Sequence, residues 1–142
     1  IYSTTDSGVI LGGVDGSARQ FAMNHDQDAG SNAISSFVFI GPINLGGVVG
    51  DAIVTELHAT TDTSSGDVDW ELRMGQSAEQ AFGATARESG NWNYAGRNSV
   101  DRPRARGSAA VLKLTNGEAS ARWALESLGL AYEPAGRMRA NN

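Results

Sequence analysis

The 142-residue chain contains no cysteine and only one lysine, Lys113. Without cysteine, neither a disulfide framework nor a thiolate-ligated metal site can hold the fold together. The apolar runs are far shorter than a membrane-spanning helix, and the start of the chain shows no signal-peptide pattern. The sequence therefore predicts one globular domain that folds around its own hydrophobic core, with no cofactor and no membrane association.

Proline is also scarce, with three residues, whereas glycine is abundant, with 18. Glycine recurs together with clusters of Asp, Asn and Ser, which are typical of tight turns between short strands. Apolar residues make up 40% of the chain and charged residues 19%, the balance of an ordinary globular protein. We therefore predict an all-β fold, an antiparallel β-sandwich or jelly-roll-like domain.

The clearest strand signal lies at residues 67–74, where apolar and polar residues alternate strictly. A period of two places the apolar set on one face, so these residues are predicted to point into the core. Residues 52–60 alternate as well, with Leu57 on the predicted core face and His58 on the other, beside Glu56. Turn residues at 61–66 join the two strands into a predicted hairpin. The core residues predicted on the second strand are Val68, Trp70, Leu72 and Met74.

A second pair of strands is predicted on either side of the Asn116-Gly117 turn. The first covers residues 109–115, and the second covers 122–132, where a short helix is the alternative. The apolar parity of the second strand changes part-way along, and a bulge near Ser127 would account for the change. The predicted core residues here are Leu112, Leu114, Trp123 and Leu125.

The chain is predicted to consist of two parts. Residues 1–47 form an N-terminal segment of three strands that resembles a propeller blade or extends a sheet, and residues 48–142 form the sandwich. Within the sandwich, residues 76–107 are polar and rich in glycine, which predicts a long loop that leaves the domain. Since the first residue is Ile1, the chain is predicted to be trimmed or to be a piece of a longer protein.

Charge is distributed unevenly along the chain. Residues 1–96 contain 3 Arg and 12 acidic residues, a balance of −9, whereas residues 97–142 contain 7 Arg, 1 Lys and 4 acidic residues, a balance of +4. The planar guanidinium group of arginine suits pairing with carboxylates on a neighbouring protein. The sequence pI of 4.9 disfavours a nucleic-acid partner. The alternative is that these arginines lie on loops that contact only solvent. The predicted interface residues are Arg97, Arg102, Arg104, Arg106, Arg137 and Arg139, with Trp92 and Tyr94 as aromatic anchors.

No convincing catalytic set appears in the sequence. The two histidines, His25 and His58, have no serine in a nucleophile-elbow context, and His58 suits a surface position paired with a neighbour on its strand. Asp69 and Glu71 lie about 7 Å apart on one strand face, a spacing that glycosidases also use. Adjacent exposed acids on a strand are commonplace, so we predict a non-enzymatic protein, and a hydrolase that uses this pair is the alternative.

A calcium loop is the one metal site that the sequence suggests. Oxygen donors fall at alternate positions, Asn24, Asp26 and Asp28, but the glycine and glutamate positions of an EF-hand are not matched. An Asx-rich turn between two strands explains the same residues. We therefore predict no metal site.

Several segments carry a resemblance to known proteins, namely residues 9–21, 25–34, 37–40, 42–46, 104–107, 123–128 and 134–137. Together they resemble the C-terminal region of virion structural proteins of tailed bacteriophages. In those tail hub, adaptor or nozzle proteins, a β-propeller-like part is followed by a β-sandwich. Residues 9–21 resemble the inner strands of a last blade, and residues 25–34 resemble its outer turn, which leads into 37–40 and 42–46. The last three segments resemble a terminal sandwich hairpin.

The resemblance implies a non-enzymatic structural component located in the virion, in a tail or a head–tail connector. It implies as partners copies of the chain itself in a symmetric assembly and other virion proteins. A single blade cannot close a propeller, so residues 1–47 would need a neighbour to cover them. Two alternatives stay open, namely a capsid decoration or cement protein and a host-glycan-binding module in which Trp92 and Tyr94 stack on sugars.

Overall fold

A computed structural model describes residues 9–12, 18–21, 27–28, 32–33, 35–46, 50–118 and 121–137, the first four of these ranges and Arg137 by their backbone alone. The elements in chain order are β1 Val9–Gly12, β2 Ala18–Phe21, β3 Gln27–Asp28, β4 Asn32–Ala33, β5 Ser36–Asn44, β6 Gly50–Thr61, β7 Val68–Gly75, α1 Ala78–Gly83, β8 Ala86–Trp92, β9 Ala105–Gly107, β10 Ala109–Asn116 and β11 Leu125–Arg137.

Seven of these strands form two antiparallel sheets. One sheet has four strands in the order β5-β10-β7-β8, and the other has three in the order β11-β6-β9. One hydrophobic cluster draws its buried residues from both sheets, so the sheets enclose a common core. The predicted all-β antiparallel sandwich is therefore confirmed. Outside it, β1 pairs with β2 and β3 pairs with β4.

Strand β7 shows how alternation builds the core. Its four apolar side chains are all buried, while Asp69 between them is exposed. Leu72 lies opposite Leu112 of β10, and Trp70 lies opposite Leu114, so the two central strands present one continuous apolar face. Trp123 and Leu125, from the other end of the chain, are partly buried against the same cluster.

The predicted hairpin between residues 52–60 and 67–74 is wrong. Strand β6 pairs with β11 and β9, whereas β7 pairs with β10 and β8, so residues 62–67 carry the chain from one sheet to the other. The chain crosses again after the Asn116-Gly117 turn, between β10 and β11. Each strand has one apolar face, and placing consecutive strands in opposite sheets lets those faces bury each other.

Bulges change the side of the sheet to which each residue points. Val54 shares its parity with Glu56 and His58, which predicts the polar face of the strand, yet it is fully buried. The reason is that Thr55 is an extra residue where the β6–β11 register shifts. Leu57 and Ala59 beyond the bulge follow the predicted parity. The β11 register also shifts between Leu125 and Ser127, which confirms the predicted bulge there.

The structure does not divide the sandwich at residue 47. Strand β5 lies upstream of that position, yet it pairs along its length with β10. Residues 76–107 are not one excursion either, since they contain α1, β8 and β9. Strand β8 has little apolar content because it lies at a sheet edge, where both polar side chains and glycine are tolerated, and this concealed it in the sequence.

Candidate functional site

The free edge of the three-stranded sheet is rich in arginine. Residues 97–107 run antiparallel to β6, first through isolated bridges from Arg97 to Thr60 and from Asp101 to Leu57, then through β9. This segment therefore acts as an interrupted outer strand. We define the arginine edge as its four exposed arginines, which are Arg97, Arg102, Arg104 and Arg106.

Two of these arginines are engaged by acids of the same chain. Arg106 Nε lies 3.0 Å from Oδ2 of the buried Asp51, whose Oδ1 accepts a hydrogen bond of 2.9 Å from Ser108. Arg102 Nε lies 3.9 Å from Glu56 Oε1 at the surface, where such a pair contributes little to stability. Arg106 therefore also has a structural role, whereas the Arg102 guanidinium stays largely in solvent.

The other two arginines have no intramolecular counter-charge in the described part of the chain. Neither Arg97 nor Arg104 forms a side-chain ion pair or hydrogen bond with a described residue. Both side chains are exposed. No described carboxylate therefore competes with one from outside the molecule for these two guanidinium groups.

A shallow depression of ≈ 430 Å³ lies between β6, β11 and the segment formed by Arg97 and Asn98. Gly129 of β11 is opposite His58 of β6, and a Cβ at position 129 would lie 3.9 Å from the imidazole Cδ2, so the glycine leaves that space empty. His58 Nε2 lies 3.0 Å from Glu56 Oε2, which agrees with its predicted surface pairing. The lining residues are His58, Ala59, Thr60, Arg97, Asn98, Ser127, Leu128 and Gly129.

The loop that carries Arg97 is fixed by hydrogen bonds. The buried Asn98 side chain accepts from the Tyr94 backbone N–H at 3.2 Å and donates to the Tyr94 carbonyl oxygen at 2.8 Å. Thr61 Oγ1 donates to the same carbonyl at 3.2 Å. Gly96 has φ +84°, a left-handed conformation that glycine adopts without strain. These hydrogen bonds already hold the loop in one conformation. The binding of a partner at Arg97 therefore costs less conformational entropy of the loop.

The prediction that Trp92 is an aromatic contact residue is wrong. Trp92 is 2% exposed and lies opposite Val68 on the inner face of β8. Its Nε1 donates a hydrogen bond of 2.7 Å to Asp101 Oδ2, and its ring centroid lies 6.3 Å from that of Trp70. Tyr94, by contrast, is 66% exposed. The two residues therefore do not form a shared stacking surface for a sugar.

Asp69 and Glu71 are both bound to neighbouring side chains. Asp69 Oδ1 accepts a hydrogen bond of 2.8 Å from Asn91, and Glu71 Oε2 accepts one of 2.7 Å from Arg73. This bond from Arg73 is the main cause that holds the pKa of Glu71 below its ordinary value, and Lys113 adds to it. A general acid in a glycosidase needs a raised pKa, so Glu71 is unsuited to that role.

We expect Glu71→Gln to lower stability at neutral pH but not in acid. A carboxyl whose pKa is depressed on folding stabilises the fold above its unfolded pKa, near 4.5, and that contribution disappears as the pH falls through the folded value. Chemical denaturation of both proteins across this pH range should show the difference shrinking as the pH falls. Glu88→Gln, at an exposed position on β8 without a described ion-pair partner, is the control and should change stability little at neutral pH. A difference that is constant with pH would contradict the assigned role.

Some predicted site residues lie outside what the structure describes. Asn24, His25, Asp26 and Arg139 fall outside the described ranges, and Asp28 in β3 and Arg137 in β11 are described by backbone alone. Among the residues whose positions are described, no group of three or more His, Asp or Glu side chains is placed to hold a metal ion. That same part of the chain contains no helix long and apolar enough to cross a membrane.

Comparison with protein-family models and with curated proteins finds no match for this chain. Sequence reasoning identified the arginines as a set but missed the depression beside them. That feature depends on Gly129 lying opposite His58, a pairing 71 positions apart that no local pattern encodes.

Proposed function

We propose that this chain is a non-enzymatic building block that works through contacts between subunits, as a structural component of a bacteriophage virion. The observation that carries the contact role is the arginine edge, in which Arg97 and Arg104 have no counter-charge among the described residues. The virion assignment, in a tail or a head–tail connector, is supported by the resemblance of the chain to tailed-phage structural proteins.

The proposed partner of the arginine edge is an acidic surface, first of all that of another copy of the chain. Exposed acids lie on the side of the four-stranded sheet, on α1 at Glu79 and on β8 at Glu88, and neither pairs with a described residue. Opposite charges on separate surfaces of one molecule favour a head-to-tail contact, which closes into a ring when the rotation permits. Other virion proteins with acidic surfaces fit the same edge.

Reversing the charge of the arginine edge tests this function. In the triple variant Arg97→Glu, Arg102→Glu and Arg104→Glu, we expect self-association at low salt to weaken by about tenfold or more, because each attraction becomes a repulsion. Arg106 is left intact because it pairs with the buried Asp51. Sedimentation velocity over a concentration series measures the effect. Association that is unchanged in the triple variant would contradict the proposal.

A matched pair of single variants separates position from net charge. Arg104→Glu and Arg87→Glu change the net charge equally, and both arginines are exposed without a described ion-pair partner. Arg87 lies on β8, next to the proposed acidic partner surface. We therefore expect Arg104→Glu to weaken association and Arg87→Glu to maintain or strengthen it. An equal loss in both variants would show that net charge, and not the arginine edge, controls association.

A further inference from the structure

Strand β5 lies at one edge of the four-stranded sheet. It pairs with β10 alone among the described strands, so on their other side residues 36–40 present backbone N–H and C=O groups that no described strand pairs with. Its exposed residues include large apolar ones, with Phe37 64% exposed and Phe39 38% exposed. Natural proteins usually guard such edges because an open strand pairs readily with another chain.

The phenylalanines of β5 belong to an ordered cluster on the outer face of the sheet. The Phe37 and Phe39 rings meet edge to face with centroids 5.7 Å apart, and Phe82 of α1 packs in the same way on Phe39 at 5.8 Å. The Arg73 guanidinium lies 5.4 Å from the Phe39 ring centroid. We call Phe37, Phe39 and Phe82 the phenylalanine cluster.

The strand itself carries no charge that would repel a second copy, since no residue of Ser36–Asn44 is charged. The nearest cations, Arg73 over the cluster and Lys113 opposite Phe39 on β10, both pair with Glu71, at 2.7 and 3.4 Å. Pro42 and the register shift opposite Ala110 and Leu112 interrupt only the second half of the strand. Residues 36–40 therefore form an open, uncharged stretch with neither lysine nor proline to guard it.

We propose that β5 pairs antiparallel with β5 of a second copy about a two-fold axis at Val38, which joins the two four-stranded sheets. The side-chain pattern Phe37-Val38-Phe39 is symmetric about its centre. Antiparallel pairing about Val38 therefore places Phe37 of each copy opposite Phe39 of the other, on one face of the joined sheet. The occupant is a second copy because an uncharged, self-symmetric strand meets itself without like-charge repulsion and matches aromatic with aromatic.

A single introduced cysteine tests both the contact and its register, since the chain has no cysteine of its own. In Val38→Cys, the thiols of two copies lie directly opposite each other, within the reach of a disulfide across two strands. We expect mild oxidation to give a covalent dimer in high yield. The Phe37→Cys control, whose cysteine lies opposite Phe39 of the second copy, should cross-link far less. No dimer in Val38→Cys, or an equal or greater yield in Phe37→Cys, would overturn the proposal.

A charge placed on the open edge provides the second test. Phe37→Lys puts a cation on an exposed position without disturbing the core, and we expect it to weaken dimerisation by more than about tenfold in sedimentation velocity. Tyr132→Lys, at an exposed aromatic on the edge strand β11 of the other sheet, should leave the dimer unchanged. Because the contact is apolar, it should persist at high salt, where the arginine-edge contact is screened. Equal dimerisation of Phe37→Lys and the unmodified chain would overturn the proposal.

Discussion

Replacing Trp92 with alanine is expected to lower the free energy of unfolding by about 3–5 kcal/mol, the range found for large aromatic residues removed from a core. The indole fills the space beside Trp70 and is shielded from solvent. The substitution also removes the hydrogen bond from Trp92 Nε1 to the Asp101 side chain. The backbone of Asp101 forms an isolated β-bridge with Leu57 of β6. The change therefore loosens both the core and the loop that leads into the arginine edge. Urea denaturation monitored by circular dichroism measures it.

Tyr94→Ala is the control for the Trp92 prediction. Tyr94 is two residues away and also aromatic, but its side chain is exposed, so we expect a change within about 0.5 kcal/mol. If Trp92→Ala were as mild as Tyr94→Ala, the burial of Trp92 in the core would be refuted. The prediction from the sequence that Trp92 is an aromatic contact residue would then stand.

Gly75→Ala is expected to destabilise the fold by about 1–3 kcal/mol through overpacking. An ideal Cβ at Gly75 would lie 2.4 Å from the Ala81 backbone nitrogen and 2.8 Å from the Gln80 carbonyl carbon. These are backbone atoms of α1, so the whole helix would have to move away from β7. The helix also covers Val111 on the outer face of β10, and its displacement would expose that side chain. Chemical denaturation should show the loss.

Gly83→Ala is the matched control, since it adds the same methyl group at the last residue of α1. A Cβ at Gly83 would have no atom within 4 Å, so we expect no loss of stability and at most a small gain from reduced chain entropy. Equal stabilities for the two variants would contradict the close packing of α1 against β7.

The parts of the fold that the sequence predicts are those encoded locally. Strict alternation identified β7 and its buried residues, and the change of parity in β11 located the bulge at Ser127. The partner of each strand is not encoded locally. Residues 62–67 have the composition of a hairpin turn, yet they connect two sheets, because burial of two apolar faces against each other determines the pairing.

In the candidate site, too, only the features that are encoded locally could be predicted. The arginines could be predicted as a group because they are close in sequence, and the pairing of residues 97–107 with β6 aligns them along one edge. The misplacement of Trp92 has a physical cause. Trp92 lies in a stretch rich in glycine and polar residues, where an aromatic residue has the pattern of an exposed contact residue. In the structure it lies opposite Val68 of β7, so its side chain points inward with that of Val68. The phenylalanine cluster was missed because Phe82 meets Phe39 only after α1 packs on the sheet.

We propose that this domain acts by joining subunits through the arginine edge on one sheet and the edge strand β5 on the other. Sedimentation velocity of the unmodified chain, over a range of concentrations at low and at high salt, tests it most directly. We expect assemblies larger than a dimer at low salt that dissociate at high salt to a dimer held by β5. A chain that sediments as a monomer at every salt and protein concentration would contradict the account.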